Sequence, residues 1–260
     1  MKRKKGEFGM KLLKKLISTI AAASIVATSL FSLSVGTVSA TTIPDIRLQS
    51  SEVTYQGSRG NTIRTVYLKV KDTEKYGKVY VHYEYAPGME WQDVTATKTS
   101  FKSKEGYSIY KASFSSYSNN FCLCYDFGSK LWDNNYGRDF DDMTLGYNEN
   151  VKAERTNVPA SGTYNVSAII RNISYAKEVK VVWSEDNFKT KKTVNLKYGN
   201  MLSRPSYGNS CERWKGTIKG IKNTKNFKFY LTYKTVADGK TYTDNNFGQY
   251  YNYNYTITRG

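Results

Sequence analysis

A five-residue motif made of one acid, two amides, one aromatic residue and one glycine occurs twice in the sequence, as DNNYG at residues 133–137 and as DNNFG at residues 244–248. Carboxylate and amide oxygens can bind a cation, and carboxylates can also transfer protons in catalysis. An aromatic ring beside amides can instead bind a sugar, because the ring covers the C–H face of the sugar while the amides pair with its hydroxyls. The motif therefore has three chemical interpretations.

The spacing of oxygen ligands excludes a calcium-binding loop. A loop of the helix–loop–helix type needs ligands at positions 1, 3, 5 and 12. Position 5 of the motif is Gly137 or Gly248, and position 12 is Thr144 or Tyr255. No other pattern in the sequence suggests a cofactor, so neither a metal ion nor a cofactor is predicted.

The residues available for catalysis are few. A hydrolase needs two carboxylates at a fixed separation, or a nucleophile with a base. The only histidine is His82, whose position in the second half of the sequence is occupied by Val182, and the two aspartates of the repeated motif lie on separate copies. The sequence therefore predicts that the protein is not an enzyme.

Binding of a neutral polyhydroxylated chain fits the composition best. The chain contains 23 tyrosines, and its tryptophans and asparagines occur in segments that also contain glycine. The alternative is that Asp133 and Asp244 cap a β-turn while the aromatic residues pack inward. Under the sugar-binding interpretation, the paired amides contact the ligand: Asn134, Asn135, Asn245 and Asn246.

The net charge of +17 indicates attraction to polyanions. Lysines and arginines are scattered among aromatic residues and asparagines rather than gathered on one arm or helix, so no nucleic-acid partner is predicted. The charge leaves open an electrostatic contact with an anionic cell envelope.

Residues 1–40 have the three parts of a secretory signal peptide. Seven Lys and Arg residues precede an uncharged run from Leu16, which ends in Val-Ser-Ala at residues 38–40. The pattern predicts cleavage after Ala40 and a secreted protein, either extracellular or retained at the cell surface. The uncharged run is also long enough to span a bilayer, so an uncleaved anchor is the alternative.

Beyond residue 40 the apolar residues alternate with polar ones, and no segment of helical length shows three-and-four spacing. The pattern recurs, because Val79, Tyr83 and Asp133 align in order with residues of the second half, namely Val179, Trp183 and Asp244. The offset between the copies grows from 100 residues near Val79, through 106 at residues 120–121, to 111 at Asp133. Longer loops in the second copy explain this growth.

Each copy has about 110 residues and seven or eight short strands, as in an immunoglobulin-like sandwich. We therefore predict an all-β fold of two tandem immunoglobulin-like antiparallel β-sandwiches after the signal peptide. The boundary falls at Glu149, which gives three segments: residues 1–40, 41–149 and 150–260.

These motifs make the sequence similar to two copies of the family 21 carbohydrate-binding module, the starch- and glycogen-binding domain of fungal glucoamylases and of glycogen-targeting subunits of protein phosphatase 1. The second copy carries most of the similarity, in RNISYAKEV at residues 171–179, FYLTY at 229–233 and GKTYTDNN at 239–246. The first copy keeps Trp91 and LWDNN at residues 131–135.

The resemblance implies sandwiches that bind α-1,4-glucans on aromatic platforms. It maps one platform to Trp91 and Trp132 in the first copy and to Phe188, Tyr230 and Tyr242 in the second. A smaller platform maps to Tyr175 and Tyr198.

The sequence departs from the family at three of these positions. Thr243 stands where the family usually has Trp or Tyr directly before DNN, and Phe188 replaces a usual Trp. Cys122 falls near the position of Tyr230. Each copy is therefore expected to have one weakened site.

The sequence as a whole predicts a secreted, non-catalytic protein that binds starch, amylose, glycogen or a related α-1,4-glucan polysaccharide. A separate amylolytic enzyme is compatible with it as a partner. The alternative is a secreted structural or adhesion protein with the same sandwiches and no affinity for glucan.

A phosphatase-docking peptide of basic-Val-x-aromatic form occurs at residues 180–183. It is disfavoured as a docking site, because it lies inside a repeated strand whose alternate residues should be buried.

The first testable expectation concerns processing. Because composition changes from apolar to polar after Ala40, the mature protein should begin at Thr41. Mass spectrometry of the protein recovered from the culture medium measures this directly. A mass that includes residues 1–40 would instead support the uncleaved anchor.

Overall fold

The computed structural model describes residues 46–71, 77–157 and 159–260. These residues form nineteen strands and no helix, which confirms the predicted all-β class. Accordingly, this part of the chain offers no helix able to cross a membrane. The predicted signal peptide and its cleavage site lie outside the described residues.

The first half, residues 46–149, forms two sheets that enclose a hydrophobic core. The strands are β1 Ile46–Gln56, β2 Thr62–Val70, β3 Lys78–Glu84, β4 Trp91–Thr95, β5 Thr97–Lys102, β6 Ser108–Ser116, β7 Phe121–Asp126 and β8 Lys130–Asp133. One sheet has the strand order β1-β2-β6-β5 and the other β4-β3-β7-β8. In β3, Val79, Val81 and Tyr83 face the core, whereas Tyr80 and His82 lie on the outer face because side chains alternate along a strand.

The second half, residues 150–260, encloses a separate core. Its strands are β9 Val151–Glu154, β10 Thr156–Asn157, β11 Thr163–Arg171, β12 Lys177–Ser184, β13 Lys192–Asn195, β14 Lys197–Met201, β15 Cys211–Lys219, β16 Lys228–Thr235, β17 Thr241–Asp244, β18 Tyr251–Asn252 and β19 Thr256–Arg259. The core lies between the sheets β14-β15-β11-β9 and β13-β12-β16-β17, with β18 paired to β16. The last strand, β19, runs parallel to β1, and β10 runs parallel to β19. The second half thus extends a sheet of the first half.

Strand registers in the two halves correspond closely. Leu123 pairs with Asp133 in the first half, and Leu231 pairs with Asp244 in the second. The predicted offset of 106 at residues 120–121 is wrong by two residues, because Phe121 pairs with Tyr83 whereas Phe229 pairs with Trp183. The loop before β16 is therefore longer than the sequence alignment implied. That the halves are two copies of one carbohydrate-binding module stays a prediction.

The segment of basic-Val-x-aromatic form, residues 180–183, is part of β12. This strand lies between β13 and β16, and its Val181, Val182 and Trp183 side chains are all buried. A partner could reach these side chains only if the sheet opened.

Two buried basic side chains join the halves. Lys152 Nζ donates to the carbonyl oxygens of Ser51, Asp142 and Thr144, at 3.1, 2.7 and 3.0 Å. Burial lowers the pKa of Lys152, and these three carbonyls replace the water that its ammonium loses.

The Arg171 guanidinium binds backbone carbonyls in the same way. It donates to the carbonyl oxygens of Gly146 at 3.1 Å, of Glu149 at 3.1 and 3.2 Å, and of Ser206 at 2.7 Å. The predicted boundary at Glu149 is thus held by a side chain of the second half.

The ring of Tyr207 belongs to the second half but packs in the core of the first, beside Phe140. Its hydroxyl donates to Asp133 Oδ2 and accepts from the backbone N–H of Leu48. The first core is therefore incomplete without residues of the second half.

We expect the two halves to unfold in one transition, because they share a sheet and a core. Arg171→Ala removes four hydrogen bonds from a charged group and leaves the Glu149 carbonyl without its donor. It should lower the free energy of unfolding by more than about 2 kcal/mol, since a hydrogen bond from a charged group contributes about 1.5 to 3 kcal/mol. Urea unfolding followed by tryptophan fluorescence and circular dichroism measures both effects.

Arg138→Ala is the matched control, because Arg138 is exposed. Two separated transitions, or an Arg171→Ala protein as stable as Arg138→Ala, would show that the halves fold independently.

Candidate functional site

The repeated motif forms the same hydrogen-bonded turn in both halves. Asn134 Oδ1 accepts from the backbone N–H of Gly137 at 3.0 Å, and Asn245 Oδ1 accepts from that of Gly248 at 3.1 Å. Each turn passes through the left-handed region at equivalent positions: Asn135, Tyr136, Gly137 and Asp139 in the first, Asn246, Phe247, Gly248 and Tyr250 in the second. Local amide chemistry therefore dictates this shape.

The two aspartates anchor the turns. Asp133 is buried and accepts from the Tyr207 hydroxyl, while Asp244 accepts from the Tyr251 hydroxyl at 2.7 Å and from the backbone N–H of Ala153 at 2.6 Å. Burial raises the pKa of both carboxyls against the opposing effect of these hydrogen bonds. Both also accept from the N–H two residues later, as capping Asx residues do.

Asn135 is not available to a ligand. Its side chain is 1% exposed, its Nδ2 donates to the carbonyls of Asp139 and Pro205, and its Oδ1 accepts from the N–H of Tyr207 at 2.6 Å. The prediction that Asn135 contacts a ligand is therefore wrong, because its amide joins the halves.

The other three amides are more accessible. Asn246 is half-buried, and its Nδ2 donates to the carbonyl of Tyr250 at 3.4 Å. Asn134 is exposed and Asn245 half-buried, and no described residue accepts from their Nδ2 groups. In both side chains the amide oxygen holds the turn, and the NH₂ group can donate a hydrogen bond to another molecule.

Aromatic side chains form a row on the outer face of the β4-β3-β7-β8 sheet. His82 stacks on Trp91 with centroids 5.0 Å apart, and its other ring neighbour is Trp132 at 5.4 Å. Tyr80 supports Trp132 edge-on at 6.0 Å, and 44% of Trp132 remains exposed. We call Trp91, His82 and Trp132 the first aromatic surface.

A second aromatic cluster lies at the equivalent sheet of the other half. Phe188 contacts Tyr250 and Tyr230 at 4.5 and 5.3 Å, and Tyr230 lies 5.9 Å from Tyr250. All three rings are half-buried. We call Phe188, Tyr230 and Tyr250 the second aromatic surface.

The loop that carries Phe188 is held by Asp186. This carboxylate accepts from the Ser184 hydroxyl at 2.6 Å and from the N–H of Thr190 at 2.9 Å. Hydrogen bonds from Ser184 and Thr190 lower the pKa of Asp186 to about 2. The loop thereby holds Phe188 in the left-handed region, at φ 64°.

The two surfaces share no aromatic position. The strand registers place Val182, Lys191 and Thr243 where the first surface has His82, Trp91 and Trp132. Conversely, Gly88, Cys122 and Asp139 occupy the positions of Phe188, Tyr230 and Tyr250. Each half therefore presents its rings at a different part of an equivalent sheet.

Tyr242 does not belong to the second surface. It pairs with Tyr233, whose side chain faces the core, and its ring packs on Tyr233 at 5.7 Å. Its predicted place beside Phe188 and Tyr230 is wrong, because a one-residue step along a strand moves the side chain to the opposite face.

The predicted smaller platform is not assembled by ring contacts. Tyr175 is fully exposed, and Tyr198 is 55% exposed and lies edge-on to Trp214 at 6.1 Å. Within the described residues, no ring contact joins Tyr175 to Tyr198.

Sequence reasoning missed His82 and Tyr250. His82 alternates with the core residues Val81 and Tyr83, which signals an outward position between two tryptophans. Tyr250 follows the second turn at the position of Asp139, so alignment of the turns could have identified it. The described residues contain no group of three or more His, Cys, Asp and Glu side chains suited to a metal ion.

Comparisons with known proteins find similarity among solved structures. No protein-family model matches the chain, and no curated protein matches it. The chain is similar to the solution structure of the carbohydrate binding module of the muscle glycogen-targeting subunit of protein phosphatase-1, with a TM-score of 0.31 and 23% identity over 40% of this chain and 73% of that chain. At this level the similarity carries no argument about function, which rests on the surfaces described above.

We expect Asn134→Ala to lower the free energy of unfolding by about 1 kcal/mol, because the N–H of Gly137 loses its side-chain acceptor. Asn134→Asp retains an oxygen there and should remain close to the parent protein in stability. Urea unfolding of both variants measures the difference. Equal stability of Asn134→Ala and Asn134→Asp would show that the amide does not hold the turn.

Proposed function

We propose that the protein binds starch or a related α-1,4-glucan, without catalysis, through the first and second aromatic surfaces. The observation that carries this proposal is the row of Trp91, His82 and Trp132 on the outer face of a sheet. Large rings on such a face would ordinarily be expected in a core or an interface.

A neutral sugar chain matches the chemistry of this row. The sugar C–H faces stack on flat rings, and the free NH₂ group of Asn134, two residues after Trp132, can bind a hydroxyl at the rim. The second surface offers Phe188, Tyr230 and Tyr250 in the same way, with Asn245 on the adjacent turn. Since rings and amides dominate both surfaces, counterion release contributes little to binding of this kind.

Two surfaces on one chain increase the apparent affinity for a long polymer. Once one surface is bound, the other binds the same polymer at a high effective concentration, and such linkage gains about 10² to 10⁴ when the geometry allows it. Short maltooligosaccharides cannot bridge the surfaces and gain nothing. Secretion, proposed from residues 1–40, would place the protein where such polymers are encountered.

Trp132→Ala and Tyr230→Ala should each weaken binding to starch by about 1 to 3 kcal/mol, or roughly 5- to 150-fold in Kd, because a few aromatic anchors carry most binding energy. The loss should be larger on long glucan than on short maltooligosaccharides, since each variant also removes bridging. Depletion assays on insoluble starch and calorimetry with maltooligosaccharides measure both.

Thr243→Ala is the matched control, because Thr243 occupies the position of Trp132 in the second half and carries no ring. Parallel assays on cellulose and xylan test the choice of glucan, and assays at low and high salt test the charge. Loss of retention on starch at high salt would contradict the proposal and favour a structural or adhesion role. Equal affinity of Trp132→Ala and Thr243→Ala for starch would do the same. Release of reducing ends from amylose would contradict the absence of catalysis.

A further inference from the structure

A cavity of about 310 Å³ lies where the two halves meet, apart from both aromatic surfaces. Residues 136–148 of the first half and residues 150–209 of the second supply its lining. Three tyrosines and three asparagines form most of that lining: Tyr136, Tyr147, Tyr207, Asn148, Asn150 and Asn209.

The tyrosine rings form a floor and two walls. Tyr207 is buried, and the rings of Tyr136 and Tyr147 stand nearly perpendicular to it, at interplanar angles of 82° and 77° and centroid distances of 5.8 and 5.2 Å. Tyr136 is 64% exposed, so one wall reaches solvent. This shape suits a flat, partly apolar ligand entering from the surface.

The charged groups at this cavity already have partners. Among the described residues, Arg171 is the only charged side chain in the lining, and its guanidinium donates to three backbone carbonyls. The Tyr207 hydroxyl is likewise bound to Asp133 and to the N–H of Leu48. The cavity therefore holds no unpaired charge that would favour an ion.

The unpaired polar groups are neutral. No described residue forms a hydrogen bond with the hydroxyls of Tyr136 and Tyr147 or with the side-chain amides of Asn148 and Asn150. Phenol hydroxyls and amides both donate and accept, as sugar hydroxyls require in a partner.

A second junction cavity, of about 330 Å³, has different chemistry. Lys104 and Glu149 form an ion pair in its lining, and Phe247 already stacks on Phe101 at 5.2 Å. The ring face and the charges of that cavity are satisfied within the protein, so it is not the better candidate.

We propose that the cavity lined by Tyr136, Tyr147 and Tyr207 is a third saccharide site, which holds one glycosyl unit. The proposal rests on the glucan-binding function proposed above and extends it from the two aromatic surfaces to an open cavity between the halves. A volume of about 310 Å³ lies at the small end of ligand cavities, which suits one unit rather than a segment of polymer. The site exists only when the halves are joined, since neither half supplies both the floor and the walls.

The test is a titration of the full secreted chain with maltose, followed by NMR of the side-chain amides. The signals of Asn148 and Asn150 should shift and saturate. The double variant Tyr147→Phe/Asn150→Ala removes two free polar groups and no hydrogen bond within the described protein. It should raise the Kd for maltose, measured from the Asn148 signal, by at least about fivefold, as expected for the loss of two hydrogen bonds.

Tyr117→Phe/Asn226→Ala is the matched control, because it removes the same groups from exposed residues outside the cavity and should leave maltose binding unchanged. Starch retention should be equal in both double variants, since Trp132 and Tyr230 are intact. Maltose-dependent shifts at Asn148 should persist in Trp132→Ala/Tyr230→Ala.

Absence of shifts at Asn148 and Asn150 would overturn the third site, and so would equal affinities in the two double variants. Retention on starch, measured separately, then decides whether the proposed function stands without it. Conversely, shifts at Asn148 in a protein not retained on starch would support the third site and contradict the two aromatic surfaces.

Discussion

The burial of Lys152 and Arg171 at the junction is the constraint on which the rest of the structure depends. Each side chain places a cation among backbone carbonyls, and its lost hydration is compensated only if its N–H groups find acceptors there. The carbonyls belong to chain segments on both sides of residue 149, so these hydrogen bonds fix the halves against each other. Tyr207 can then enter the first core, and β19 can align with β1.

The repeated turn is a hydrogen-bonded scaffold beside the exposed rings of each half. In both copies one asparagine closes the turn, the preceding aspartate is anchored by a tyrosine hydroxyl, and the next asparagine bonds to backbone. The second asparagine differs between the turns, since Asn135 donates to the carbonyl of Pro205 whereas Asn246 remains half-buried. The Asp-Asn-Asn-aromatic-Gly motif therefore ties the first half to the second at one occurrence and stays more open at the other.

The halves also differ in where their aromatic residues lie. The first half carries its rings mainly on strands, at His82 and Trp132, while the second carries Phe188 and Tyr250 on loops. A ring carried on a loop must be held in place by contacts within the loop. For Phe188, Asp186 supplies these contacts through its hydrogen bonds with Ser184 and Thr190. The second half, which has Thr243 at the position of Trp132, thus presents its rings in a different arrangement on the equivalent sheet.

The sequence by itself determined the features that depend on neighbours along the chain. Alternation of apolar residues specified the strands and the all-β class, and the order Asp-Asn-Asn-aromatic-Gly specified a turn, because Asx side chains bond to nearby backbone. Trp91 and Trp132 could be selected from the sequence, and the structure brings both beside His82. Their role in binding glucan remains a proposal.

Only the tertiary structure decided which of the selected residues face solvent. Tyr242 and Thr243 are adjacent, and the pairing of β17 with β16 directs the tyrosine to the core and the threonine outward. Asn135 looks identical to Asn246 in the sequence, yet Pro205 and Tyr207, seventy residues away, bury it. The junction cavity likewise joins segments far apart in the chain. Exposure is set by whatever packs against a side chain, and those partners are distant in sequence.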